Sequence, residues 1–173
     1  WKEFLRFPTP AQSRILFKIR RFFKHPLQRN DFQDKFEVVE VFMELRRATE
    51  KDSNTIWKMQ TEAFAELLAK YEDYDTNPGN ETVERIKARL LQPYTYFYFI
   101  IVGNNVVGAI RIVDMKDGSR KRIAPLFILK KYRNNGYAQL AMIETEKIHG
   151  QNNWKLDTIF QEEGNCYLYE KMG

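Results

Sequence analysis

The sequence predicts a mixed α/β (α+β) fold, a mostly antiparallel central sheet flanked by helices, and three observations carry that expectation. Residues 94–129 hold β-rich runs separated by Gly103-Asn104-Asn105 and by Lys116-Asp117-Gly118-Ser119, which is the pattern of an antiparallel meander. Two consecutive stretches of helical periodicity precede the meander. A strand that passes through a glycine-containing loop directly into a helix follows it.

Taken in order, Thr9-Pro10-Ala11-Gln12 offers a capping threonine, a proline at the first helical position and a glutamine placed to close a capping box. Ile15, Leu16, Ile19, Phe22 and Phe23 then recur at helical spacing opposite Lys18, Arg20, Arg21 and Lys24, until His25-Pro26 stops the pattern. The expectation is an N-terminal amphipathic helix that docks on the domain, mediates self-association or lies on a membrane surface. Phe36 to Phe42 and Glu44 to Ala48 alternate like β-structure, either as one long bent strand or as two strands joined at a bulge. Thr49 caps a helix carrying Ile56, Met59, Ala63, Phe64, Leu67 and Leu68 on one face, to about residue 70. Tyr71 to Asn80 reads as a loop, and Thr82 opens a second helix with Val83, Ile86, Leu90 and Leu91 until Pro93. The meander strands are Tyr94 to Val102, Val106 to Asp114 and Arg120 to Leu129. Tyr137 to His149 is a helix stopped by Gly150, Trp154 to Phe160 is a strand, and Asn165 begins a last short helix.

A chain of 173 residues suits one domain with a single core. Cys166 is the one cysteine, so no internal disulfide forms, and a reducing, cytoplasmic location is expected, with no metal. No run approaches the ~18 apolar residues of a membrane span, and the first residues lack the layout of a secretory signal. The net charge of +5 is unevenly placed: residues 1–42 hold nine Lys/Arg against five Asp/Glu, whereas the rest holds nineteen against eighteen. A short basic face is ordinarily solvated surface, which argues against nucleic acid or membrane as the principal partner.

The chemistry concentrates where Pro125-Leu126-Phe127-Ile128-Leu129 runs into Arg133-Asn134-Asn135-Gly136-Tyr137-Ala138 and then into a helix. A loop entering a helix N-terminus presents unpaired N–H groups and the positive end of the helix dipole, both suited to phosphate oxygens. Gly136 lets the backbone approach an anion, Ala138 keeps the wall thin, and Arg133 can add a charge-assisted contact. Neither a P-loop nor a dinucleotide fingerprint is present.

With Leu126-Phe127-Ile128 on the strand, Tyr132 to Ala138 in the loop, and Asn165 and Leu168-Tyr169-Glu170-Lys171-Met172-Gly173 near the end, the chain resembles the GNAT superfamily of acyl-CoA-dependent N-acyltransferases over about residues 43–173. The resemblance implies an N-acetyltransferase that uses acetyl-CoA as co-substrate and acetylates a primary amine by direct attack, through a tetrahedral intermediate. It implies that residues Arg133, Asn134, Asn135, Gly136, Tyr137 and Ala138 hold the pyrophosphate. Phe127 and Ile128 would pair through their backbone with pantetheine and polarise the thioester carbonyl, Asn165 would touch the pantetheine arm, and Tyr169 would be the general acid. Cys166 then reads as a small packed residue, and His149 as a helix-end cation or cap.

Relatives often carry a glutamate on the strand before the loop, where Ile123-Ala124-Pro125 stands here. Asp114, Asp157, Glu162, Glu163 or a water chain are the open choices for the base. The acceptor, a small-molecule or peptide amine, would meet Glu62, Glu66, Glu72, Asp73 and Asp75 interleaved with Tyr71 and Tyr74, unless these are solvated surface. Residues 1–42 form an N-terminal extension to the 43–173 domain, and the family's usual last two strands are expected to be absent or replaced. Phe36 to Phe42 is expected to add to the sheet of its own or a neighbouring subunit, which allows a homodimer. The competing expectation is a catalytically idle CoA-binding sensor or partner module of the same fold.

Overall fold

Alternation of buried and exposed positions organises the centre of the molecule. The protein is described here by a computed structural model covering residues 12–22 and 36–156, with side chains defined from Phe42 to Lys155. In chain order the elements are β1 (Gln12–Phe22), β2 (Phe36–Arg47), α1 (Ser53–Tyr71), α2 (Val83–Leu90), β3 (Thr95–Val102), β4 (Asn105–Val113), β5 (Lys121–Ile128), α3 (Tyr137–His149) and β6 (Trp154–Leu156). The strands form one sheet in the order β1-β2-β3-β4-β5-β6. Every neighbouring pair is antiparallel except β5 and β6, which run parallel. The mixed, mostly antiparallel sheet flanked by helices is therefore the observed architecture.

The sheet has two covered faces because its central strands are apolar on both sides. On one, Leu45, Tyr98, Ile100, Ile110, Ile112, Ile123 and Ile128 pack against Tyr137, Ala141 and Met142 of α3. On the other, Phe97 and Phe99 meet Ile56 of α1 and Ile86 of α2, while Ala109, Phe127 and Leu129 meet Ala63. The local signals hold: Thr82 Oγ1 accepts from the Arg85 amide at 3.3 Å and starts α2. The Asp52 carboxylate accepts from the Thr49 amide at 2.8 Å just ahead of α1.

The N-terminal segment corrects the sequence reading. Residues 12–22 form strand β1 instead of an amphipathic helix, paired antiparallel with β2 in a register that sets Ile15 opposite Met43, Phe17 opposite Val41 and Ile19 opposite Val39. Ile15, Phe17 and Ile19 satisfy a period of two, and the register also places Arg14, Lys18 and Arg21 opposite Glu44, Glu40 and Glu37. Residues 36–47 are one continuous strand, which decides between the two open alternatives. Met43–Arg47 pair with β3, whereas residues 36–42 run on past it and pair with β1, at the sheet edge away from β6. The last predicted helix, and residues 157–160 of the predicted last strand, lie outside the described residues.

Candidate active site

The expected site is built where β5 gives way to α3. Gly108 of β4 sits opposite Ile128, and a β-carbon there would fall 2.1 Å from the Phe127 carbonyl oxygen, so the two strands approach closely only because residue 108 is glycine. The Leu129 amide donates to the Val107 carbonyl at 2.9 Å. Ladder alternation then turns the Ile128 amide and carbonyl away from β4, toward the side where β6 would run. Yet β6 pairs with β5 only at Lys121, Arg122 and Ile123. Among the described residues no strand lies against Leu126–Ile128 on that side, and β5 has an open edge there.

The chain then makes a single 3-10 turn over Lys130–Tyr132 and enters the loop. Asn134 and Gly136 have φ of 63° and 76°, one on either side of Asn135. Gly136 is the N-cap of α3, and its carbonyl accepts from Leu140 at 3.1 Å. The amides ahead of Leu140 belong to the first turn, where a helix leaves N–H groups without intrahelical partners. A β-carbon on Gly136 would meet nothing within 4 Å, so the space over the turn is open. Asn135 folds back, its Nδ2 donating to the carbonyls of Tyr132 and Arg133 at 3.1 and 2.9 Å, which holds the loop in shape. Tyr137 is buried in the α3 core, so what it can offer an anion is its backbone.

Arg133 is engaged within the protein. Its Nε donates to the Ile128 carbonyl at 3.1 Å, and Nη2 donates to the Ala63 carbonyl at 2.9 Å. Nη1 lies 3.6 Å from the Glu66 carboxylate. The guanidinium thus ties the loop to β5 and α1 and takes up the Ile128 carbonyl, leaving that residue's amide as the group facing the open edge. Phe127 is buried, its ring 5.9 Å from that of Phe64 in an edge-on contact. Asn165 and Tyr169 lie outside the described residues, as do Asp157, Glu162, Glu163 and Cys166.

Asp114, one of the candidate bases, is buried at the far end of α3 and already engaged. Its carboxylate accepts from His149 Nδ1 at 2.9 Å and from Lys116 Nζ at 2.5 Å. His149 Nε2 lies 3.1 Å from the Tyr98 hydroxyl, so an ionised Asp114 sets the tautomer in which Nδ1 donates and Nε2 accepts. Burial pushes the Asp114 carboxyl up, but the hydrogen bonds from Lys116 and His149 outweigh it and bring the group down to about 2. Burial lowers His149, with the Asp114 bond opposing, and raises the Tyr98 phenol. The sequence reading of His149 as a helix-end cap gives way to Lys121, whose Nζ donates to the carbonyls of His149 and Gly150 at 2.9 and 3.0 Å. Alternation along β4 carries the signal that was missed: an aspartate at the end of an apolar strand is positioned for a buried partner.

The acidic stretch expected to meet the acceptor is partly neutralised. Glu66 pairs with Lys130 at 2.5 Å, a contact that holds its carboxyl below the usual range. The Asp73 carboxylate is taken up by the Thr76 hydroxyl and by the Thr76 amide at 2.9 Å. Among the described residues no group of three His, Cys, Asp or Glu is arranged to hold a metal ion. No helix among them is long and apolar enough to cross a membrane.

The profile of the Acetyltransferase (GNAT) family matches residues 55–173. No curated protein matches the sequence. In structure the chain is similar to a possible acetyltransferase from Clostridium difficile 630, at 19% identity and TM-score 0.57, over 75% of this chain and 88% of that one. It is also similar to the PaiA N-acetyltransferase from Thermoplasma acidophilum in complex with coenzyme A, at 16% identity and TM-score 0.56, over 76% and 88% of the two chains. An aminoglycoside acetyltransferase from an uncultured soil metagenomic sample, in complex with sisomicin, matches at 12% identity and TM-score 0.56, over 75% and 86%. These likenesses are likenesses of fold.

Proposed function

The chain belongs to the acetyltransferase (GNAT) family and is an acyltransferase, and from that premise we propose that it moves an acetyl group from acetyl-CoA to a primary amine carried by a small molecule or a peptide. The observation that carries the reading is the open edge of β5 at Ile128 beside a loop with positive φ at Asn134 and Gly136 and free space above Gly136. Backbone amides at a helix N-terminus suit a diphosphate, and an unpaired strand edge suits the amide-bearing pantetheine arm. The residues present therefore fit the co-substrate.

Acetyl-CoA supplies the activated acyl group as a thioester. In this reading the amides of the Asn134 to Ala138 segment hold its phosphates, and Arg133 keeps the loop fixed by bonding Ile128 and Ala63 rather than by touching the anion. The Ile128 amide faces the open edge, where Phe127 and Ile128 line up the pantetheine arm. Asn165 and Tyr169 keep the roles assigned from sequence, the Tyr169 phenol being the proton source for the departing sulfur. The reading places the protein in the cytoplasm.

Calorimetric titration with acetyl-CoA together with CoA-release assays on a panel of amines tests it. Saturable binding, turnover of at least one amine, and a fall in kcat of tenfold or more in Tyr169→Phe are expected. Tight binding with no CoA release on any amine, unchanged in Tyr169→Phe, would assign the chain to a catalytically idle CoA-binding module instead.

A further inference from the structure

Arg111 stands out on an otherwise apolar strand. It lies where the β4–β5 register shifts between Ile110 and Ile112, opposite Ala124-Pro125, and on the α1/α2 face of the sheet. Only 5% of the residue is exposed. Its Nε donates to the Ala124 carbonyl, and its guanidinium lies 5.8 Å from the centre of the Phe97 ring. A buried guanidinium ordinarily has a carboxylate partner, because burying an uncompensated charge is costly. Here the nearby carboxylate, Glu81, is occupied: Arg89 pairs with one of its oxygens, and Gln60 Nε2 donates to the other at 3.0 Å.

The surroundings add positive charge. Burial lowers Arg111 to about 10, and the neighbouring cations Arg89, Arg122 and Arg85 push the same way against Glu81. Arg122 is exposed on β5 two residues before Ala124, on the same face as Arg111, and Arg85 is exposed on α2. Positive charge thus outweighs negative around Arg111. A guanidinium carries five N–H donors in a planar fork, and Arg111 spends one on a neutral carbonyl. The geometry of that fork matches a carboxylate. The position is equally specific: Ala124 is three residues, roughly 10 Å, along β5 from Phe127, at whose end the open edge begins.

We propose that Arg111, assisted by Arg122, receives the carboxylate of the acceptor, so that the amine acetylated by this protein belongs to an amino carboxylate rather than to a polycation. The proposal rests on the acyltransferase reading and names its substrate class. A free amine a few atoms from a carboxylate would be anchored at the Ala124 bulge and extend along β5 toward the thioester.

The experiment pairs two readouts on the full chain in the presence of saturating CoA or acetyl-CoA. Binding of free amino acids, their carboxamides, a polyamine and phosphoethanolamine is followed by titration, and acetyl transfer to the same compounds is followed by CoA release. The amino carboxylates are expected to bind at least tenfold more tightly than the matched carboxamides and the polyamine. Arg122→Gln is expected to narrow that ratio severalfold, and Arg111→Lys to narrow it further. If Arg111→Lys fails to fold, Arg122→Gln alone decides. Equal binding of carboxylate and carboxamide, or preference for the polyamine or for phosphoethanolamine, would overturn the proposal. Carboxylate-selective binding without acetyl transfer would instead overturn the acyltransferase reading and leave the anion site standing.

Discussion

Replacing Gly136 by alanine separates what the loop before α3 does for the fold from what it does for a ligand. The backbone there has φ of 76°, and the added methyl would meet no protein atom within 4 Å, so the cost to the fold is the left-handed conformation alone. That cost is about 1–2 kcal/mol for an L-residue, a drop of roughly 2–8 °C in melting temperature for a domain of this size. Gly118 supplies the matched control: it has φ of 84°, it too would meet nothing within 4 Å, and it lies in the β4–β5 turn at the opposite end of the sheet. Gly136→Ala and Gly118→Ala should therefore melt alike. They should differ in acetyl-CoA affinity, because only at Gly136 does the methyl enter the space assigned to phosphate oxygens. A loss of at least thirtyfold in Kd, about 2 kcal/mol, is expected for Gly136→Ala by calorimetry, against less than threefold for Gly118→Ala. If the two variants bind acetyl-CoA equally well, no diphosphate approaches the Gly136 backbone and the site has been placed wrongly.

Gly108→Ala is expected to lose about 3 kcal/mol or more of unfolding free energy in urea titrations, because its methyl would fall 2.1 Å from the Phe127 carbonyl and 3.0 Å from Ile128 Cα, both backbone atoms that yield only by parting β4 from β5. A wild-type midpoint would show that the strands are not held that close. Stability should fall on acidification in two steps. His149 is lowered below its ordinary 6.5, so the unfolded chain takes up its proton first, and stability is lost as pH drops through that value. Asp114, at about 2 against 3.8, adds a second loss of about 2 kcal/mol between those values. Urea unfolding at pH 7, 5 and 3 reads both steps, and Asp114→Asn should shrink the lower one, leaving the smaller share of the other lowered carboxylates such as Asp52 and Asp73. A stability that is flat from pH 4 to 2 in the wild type would contradict the engaged state of Asp114.

Elements whose signals are local were legible. The Thr82 cap, the turns around Gly103 and Gly118 and the Gly150 terminus all lie within a residue or two of the observed boundaries, and the Pro93 stop lies three residues past the end of α2. What failed at residues 12–22 was a question of partnership. Ile15 and Ile19 fit a helical stripe and a strand equally well, and Phe17, which breaks the stripe, fits only the strand. The choice was made by pairing with β2, a partner that no local pattern describes. The intramolecular bonds of Arg133 were illegible for a related reason. Its type and place in the loop point to phosphate, whereas the carbonyls of Ile128 and Ala63 that engage it are brought there by tertiary packing. Arg111 was the opposite case: an arginine in the run Val106 to Val113 is anomalous on sequence alone, and alternation would have flagged it.

Among the described residues no free carboxylate stands beside Ala124, whereas arginines do. Ile123 is buried toward α3, and Ala124 and Pro125 carry no ionisable group. Asp114 is spent on His149 and Lys116, and Glu66 on Lys130. An acceptor amine must nevertheless lose its proton before it can attack a thioester. A like charge nearby disfavours the protonated form of an amine, and a low-dielectric wall disfavours it further. An amino carboxylate whose anionic end is neutralised by Arg111 would hold its ammonium within the field of Arg122 and Arg85, opposed by Glu81, whose carboxylate is already engaged by Arg89 and Gln60. The cluster that selects the acceptor would thereby also shift it toward the neutral, nucleophilic amine, which reduces what a dedicated base has to do at this site.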